Sequence, residues 1–209
     1  MRGDRKEEII LTTLALAAEK GLSGVSMGMI ADRVGMKKPS LYNYFSSREE
    51  IVEAMYGFLR EKAKAGTHAA LVDYAALFAG RTALEVLQRT VENYLNLCLE
   101  PDMRTFYRVI YSERSIHPAA AAILAEETER MLLATKQLFY AMQAHRLLCF
   151  RDADMSATSF TLTIHGLMDY GMDRGLSDAA LPASMDAYLR WFCEENAWKE
   201  ETESRKSAF

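Results

Sequence analysis

The sequence predicts an all-α protein of about nine helices, and three observations predict it. Apolar residues recur at three- and four-residue spacing through most segments, while no stretch alternates apolar and polar in the manner of a half-buried strand. Helix-start chemistry recurs: Ser47 and Thr82 each stand three residues ahead of a glutamate, and Pro39, Pro118 and Pro182 sit early in periodic runs. Half of the 209 residues are hydrophobic and only four are proline, which suits packed helices with substantial cores.

The first helix runs from about Asp4 to Lys20, with Ile9, Thr13, Leu16 and Ala17 as its inner stripe, Ile10 and Leu14 beside them, and Gly21 at its end. Two short helices joined by a tight turn follow over Ser26–Phe45. Ser26 caps the first with its hydroxyl. Ile30, Ala31 and Val34 face inward, and Gly35 supplies the turn. Pro39 sits early in the second helix, where a missing N–H costs least. Leu41 and Phe45 face inward at i, i+4, leaving Lys37, Lys38, Ser40, Tyr42, Asn43 and Tyr44 on the outward side. Cations and hydrogen-bonding groups on one small exposed helix suit a DNA groove: Lys for phosphate or guanine, Asn for adenine, Ser for either. The bland alternative is a helical hairpin with a solvated face.

Ser47 caps a fourth helix in a capping-box spacing with Glu50, and Ile51, Met55, Phe58 and Leu59 mark its buried side to about Lys64. Residues 66–80 are apolar but poorly punctuated, with no helix boundary to read. Thr82 and Glu85 form a second capping box, opening a helix with Leu84, Leu87, Val91, Tyr94, Leu95 and Cys98 that Pro101 closes. Further helices are expected over about 102–114, from Pro118 to about His145, over 154–174 and over 182–198, before a charged, frayed tail.

The segment from about residue 5 to 60 resembles the DNA-binding domain of the TetR (tetracycline-repressor) family of bacterial regulators. The resemblance is carried by the amphipathic first helix, Gly21, Ser26, Ile30-Ala31, Val34-Gly35, Leu41-Tyr42, Tyr44-Phe45 and Arg48-Glu49. It implies a three-helix helix-turn-helix domain over 1–47, a ligand-binding and dimerisation bundle over 48–198, and a flexible tail over 199–209. It also implies a homodimer through the last two helices, whose Ser156, Ser159, Thr163 and Gly166 permit close approach, and an effector pocket inside the bundle. Adjacent Trp191 and Phe192 point to different sides, one toward the core and the other toward the interface.

Composition narrows the chemistry. The net charge of −4 argues against a nonspecific, whole-surface nucleic-acid binder, but it is uneven. Residues 1–50 hold eight Lys/Arg against seven Asp/Glu, and residues 51–209 seventeen against twenty-two. DNA affinity then rests on local placement of Arg2, Arg5, Lys6, Lys37, Lys38 and Arg48. No run approaches the roughly 18 apolar residues of a membrane span, and no signal-peptide block stands near the N-terminus, so a cytoplasmic protein without membrane partners is expected. Cys98, Cys149 and Cys193 read as buried thiols. The four histidines include no His-Glu-x-x-His, and there is no Gly-rich phosphate loop, Gly-x-Ser-x-Gly or Cys-x-x-Cys, so neither catalysis nor a metal or other cofactor is expected. His68 reads as exposed, His117 as a cap or turn, His145 as a helix end, and His165, mid-helix, as a core or interface residue or a cavity-lining group.

The expected function is that of a transcriptional regulator, a repressor released from operator DNA by a small apolar effector. The rival is a helical small-molecule-binding protein without DNA function. Lys38, Ser40 and Asn43 are assigned to base edges, with Pro39 against a thymine methyl. Ser26, Lys37, Tyr42, Tyr44 and Arg48 are assigned to phosphates, partly by the resemblance. The effector is expected near Tyr94, Phe106, Tyr107, Tyr111, Met131 and His165, because aromatic rings and Met sulfurs suit flat apolar ligands. Charged side chains are scarce there, so a highly charged ligand would lack partners.

Overall fold

The computed structural model describes residues 2–66 and 72–198. Among them are ten α-helices and a short 3-10 turn, with no β-strand beyond a single bridge between Leu148 and Ala197. The helices are α1 (Arg2–Lys20), α2 (Met27–Val34), α3 (Lys38–Leu41), α4 (Arg48–Gly66), α5 (Tyr74–Phe78), α6 (Ala83–Leu99), α7 (Pro101–Glu113), α8 (Pro118–Ala144), α9 (Ala153–Asp173) and α10 (Leu181–Glu195). The 3-10 turn, Leu22–Gly24, lies between α1 and α2.

The chain folds as two compact units, one of residues 1–68 with 97–126 and the other of 69–96 with 127–209. Helices α2, α4 and α7 all pack on α1. Ile9, Leu16, Ile30, Leu41, Ile51, Met55, Leu59, Met103 and Phe106 share one core and are all but inaccessible to solvent. Thr13, the one polar residue in the α1 stripe, returns its hydroxyl to the Ile9 carbonyl at 2.8 Å. Arg60 on α4 pairs with Glu126 on α8, and Lys62 reaches Glu100 and Asp102 at 3.2 and 2.8 Å.

The second unit is built around aromatic rings. Phe139 stacks on Phe150 at 4.6 Å and meets Phe160 edge-on at 5.3 Å, while Phe192 contacts Phe139, Phe150 and Phe160. Phe192 is buried whereas its neighbour Trp191 is 54 % exposed, the division expected of adjacent helical positions. Helix α5 occupies part of the stretch left without boundaries, capped by Asp73, whose carboxylate accepts the Ala76 N–H. His68 lies outside the described residues, as do 67–71 and the tail from Lys199.

Candidate nucleic-acid interface

The helical hairpin is assembled by local chemistry. Ser26 Oγ accepts the Met29 N–H at 3.3 Å and starts α2. Gly35, at φ 71°, ends it: its N–H returns to Ala31 and Asp32, and that of Met36 to Ala31. A left-handed backbone at this point suits only glycine without strain. Lys37 is the N-cap of α3 and Pro39 occupies its first turn. Regular α-helix covers only Lys38–Leu41. Beyond it the Asn43 and Tyr44 N–H groups bond three residues back, a tighter winding than the helix to Phe45 that the apolar spacing predicts.

Leu41 and Phe45 are buried beneath α3, so its other face is outward. Lys37, Lys38, Pro39, Tyr42 and Asn43 are exposed, and Ser40 and Tyr44 are half-buried. A shallow, open depression of about 580 Å³ is lined by Arg5, Met36, Lys37, Ser40, Asn43 and Tyr44. Arg5 comes to it from α1, donating to the Val34 carbonyl and pairing with Glu8 at 2.6 Å. Lys6 lies 5.1 Å over the Phe45 ring. Two cations from α1 thus flank the α2–α3 hairpin. Met36, just past the Gly35 turn, is the lining residue that the sequence analysis did not single out, since an apolar residue there carries no signal of contact.

Two of the expected phosphate ligands also serve the fold. Ser26 spends one lone pair on its cap, and its hydroxyl hydrogen remains available. Arg48 donates to the Leu22 carbonyl at 2.8 Å and pairs with Glu49 at 3.1 Å, so it buttresses the start of α4.

The six expected effector residues divide between the units. Phe106 is fully buried in the core of the first. Tyr107 packs against the same core, and the Tyr111 ring lies under the Arg114 guanidinium. In the second unit the Tyr94 hydroxyl meets His165 Nδ1 at 3.1 Å, and His165 Nε2 stands 4.0 Å from an Asp169 oxygen. Met131 is half-buried there. His145 follows the end of α8 and meets the Phe78 ring edge-on at 5.2 Å.

No group of three or more His, Cys, Asp or Glu among the described residues is arranged to hold a metal ion, and none of the described helices is long and apolar enough to cross a membrane. Cys98 is buried, and Cys149 and Cys193 are half-buried. Burial, aided by the Glu194 charge, pushes the Cys193 thiol up to about 11, the reverse of what a thiolate nucleophile requires.

Comparison with known proteins agrees with this geometry. Residues 9–55 match the model of bacterial regulatory proteins of the tetR family, and residues 85–191 match that of the AefR-like transcriptional repressor C-terminal domain. The transcriptional activator FasR of Mycolicibacterium smegmatis is 26% identical over 151 residues, 69% of this chain and 64% of that protein. The transcriptional repressor KstR2 of Mycobacterium tuberculosis is 41% identical over 56 residues, 26% of this chain and 28% of that protein. In both cases the match spans less than two thirds of the relative's length. Among solved structures, the flavonoid-responsive regulator FrrA aligns with a TM-score of 0.64 at 26% identity, over 92% of this chain and 97% of that one. With an exposed helix-turn-helix face, helices throughout the described residues and matches to both family models, this chain belongs to the TetR family of bacterial regulatory proteins.

Proposed function

We propose that the chain is a dimeric repressor of a pseudo-palindromic operator, released by a small, mostly apolar effector. The observation that carries the DNA half is the outward face of the α3 segment, where Lys38, Ser40 and Asn43 stand ready for base edges and Pro39 for a thymine methyl. Lys37, Tyr42, Tyr44, Ser26 and the remaining N–H groups of Arg48 take the flanking phosphates. One such hairpin spans only a few base pairs, so specificity requires two copies on half-sites about one DNA turn apart. The second copy docks on α9 and α10. Met155, Leu162 and Tyr170 lie exposed along one stripe of α9, with exposed Ser159 and Gly166 between them, and Trp191 is exposed on α10. An apolar stripe of that size is what a buried interface leaves on a lone chain.

The effector binds in the second unit, oriented by the Tyr94–His165 pair, with Met131 contributing apolar surface. A flavonoid-responsive relative at 26% identity favours a flat aromatic ligand. Release then follows from higher effector affinity for a dimer whose reading helices are spaced wrongly for DNA.

Selection of duplexes from a randomised pool tests the reading. The chain is expected to enrich a two-fold symmetric sequence, with log affinity falling linearly in log salt. Tyr42→Phe weakens binding to that sequence and to random duplex alike, whereas Asn43→Ala relaxes discrimination at one base pair by ~1–3 kcal/mol. Equal losses from both substitutions on both duplexes would remove the distinction between positioning and reading. Planar aromatic candidates that alter neither the melting temperature nor operator affinity would remove the effector half.

A further inference from the structure

Glu113, the last residue of α7, occupies a position that ordinarily disfavours a carboxylate. Its side chain is 8 % exposed, and it stands at the negative end of its own helix dipole. Two contacts hold it there. One oxygen accepts the N–H of Leu22 at 3.0 Å, across 91 residues of sequence, and the other stands 3.3 Å from His117 Nε2. Leu22 is itself buried and opens the 3-10 turn between α1 and α2. Its carbonyl accepts from Arg48 at 2.8 Å and from the Val25 N–H at 3.2 Å. The turn is therefore pinned from two sides, by α7 at the Leu22 N–H and by the start of α4 at the Leu22 carbonyl. Tyr56 of α4, also buried, carries a hydroxyl with no hydrogen-bond partner among the described residues, and burial, then the Glu113 charge, raise its phenol above its ordinary value.

The pinned turn leads directly into the hairpin. Val25 and the Ser26 cap follow it, α2 follows the cap, and Gly35 passes the direction of α2 to α3. An apolar side chain in place of Glu113 would fill the space but leave the Leu22 N–H buried without an acceptor. A carboxylate supplies that acceptor in its stronger, charge-assisted form.

We propose that Glu113 is a positioning residue for DNA recognition: braced by His117, its carboxylate fixes the turn between α1 and α2, and through it the attitude of the reading segment. The proposal rests on the DNA-reading assignment for its second readout only. The experiment uses the full chain, a duplex enriched by the wild-type chain, and a random duplex of the same length. Amide exchange at Leu22 is followed in parallel. Glu113→Ala is expected to speed Leu22 exchange at least tenfold. It should also lower affinity for the enriched duplex at least tenfold, with random-duplex affinity held within twofold. Glu113→Gln, which keeps an acceptor oxygen, restores most of both. His117→Ala, at a half-exposed site, is expected to speed Leu22 exchange and lower enriched-duplex affinity at least threefold each, and serves where Glu113→Ala does not fold. Unchanged Leu22 exchange in these variants overturns the proposal. So does a loss equal on the two duplexes, which marks a residue of general stability. If the wild type enriches no sequence, the DNA-reading assignment falls, while the Leu22 exchange result still decides whether Glu113 fixes the turn.

Discussion

Gly57 and Gly171 are both helical glycines, yet the space around them differs. A Cβ added to Gly57 in α4 would meet nothing within 4 Å, whereas at Gly171 in α9 it would stand 2.5 Å from Leu181 Cδ2 and 3.3 Å from Leu176 Cδ1. Leu181 is fully buried, so it has little freedom to turn away. Gly57→Ala is expected to raise stability by about 0.5–1 kcal/mol through reduced backbone entropy in the unfolded chain. Gly171→Ala gains the same term but must overpack the α9–α10 contact, which costs ~1–3 kcal/mol. Denaturant midpoints measured side by side check the pair; a Gly171→Ala variant as stable as Gly57→Ala would mean that Leu181 repacks freely.

At the scale of elements, exposed carboxylates hold the helix ends and the α1–α2 strut. Glu85 accepts the Thr82 N–H at 2.7 Å while its own N–H goes to Thr82 Oγ1, the reciprocal box read from the sequence. The box at α4 is shifted by one residue: Ser47 Oγ accepts the Glu50 N–H, but the Glu50 carboxylate reaches back to the N–H and hydroxyl of Ser46. Glu19 joins Arg33 through two hydrogen bonds, at 3.1 and 3.0 Å. These partners hold Glu19, Glu50 and Glu85 below the usual carboxylate range: the Arg33 guanidinium acts on Glu19, the Ser46 hydroxyl and N–H on Glu50, and the Thr82 N–H and hydroxyl on Glu85. A lowered folded-state value means stability that is complete above the unfolded carboxylate pKa and lost as pH falls through the folded one. Chemical denaturation between about pH 3 and 5 should therefore show stability rising with pH, by a small amount because every one of these groups is solvated. A flat profile in that window would show the caps to be idle. The box shift also marks a limit of sequence reading. Ser46 and Ser47 are both competent, spacing cannot choose between them, and the glutamate rotamer decides. Inward stripes such as Ile30, Ala31, Val34, Leu41 and Phe45 were legible because periodicity alone fixes them. The packing of α7 on α1 was not, because it depends on contacts some ninety residues apart. The Glu113–Leu22 bond was hidden for the same reason.

At the scale of the whole molecule, the proposed pairing of two copies is what would turn one short reading segment into an operator-specific regulator. Sedimentation at micromolar concentration is expected to show a species twice 23.6 kDa. Gly166→Ala provides the finer check. The added methyl meets nothing within 4 Å in the single chain and favours helix, so folding should be unharmed while close approach of a second α9 weakens. A dimer of undiminished affinity in that variant would place the contact elsewhere. The placement of the two tryptophans also has a spectroscopic consequence. Trp198 is half-buried with the Arg146 guanidinium 5.8 Å from its ring, whereas Trp191 stands open on the face assigned to the second copy. Indole emission shifts to the red as its surroundings become aqueous, so diluting the dimer should move the fluorescence maximum by uncovering Trp191 alone. Unlabelled protein would thus carry its own optical gauge of assembly, and Trp191→Phe would silence the gauge while leaving the signal of Trp198 in place.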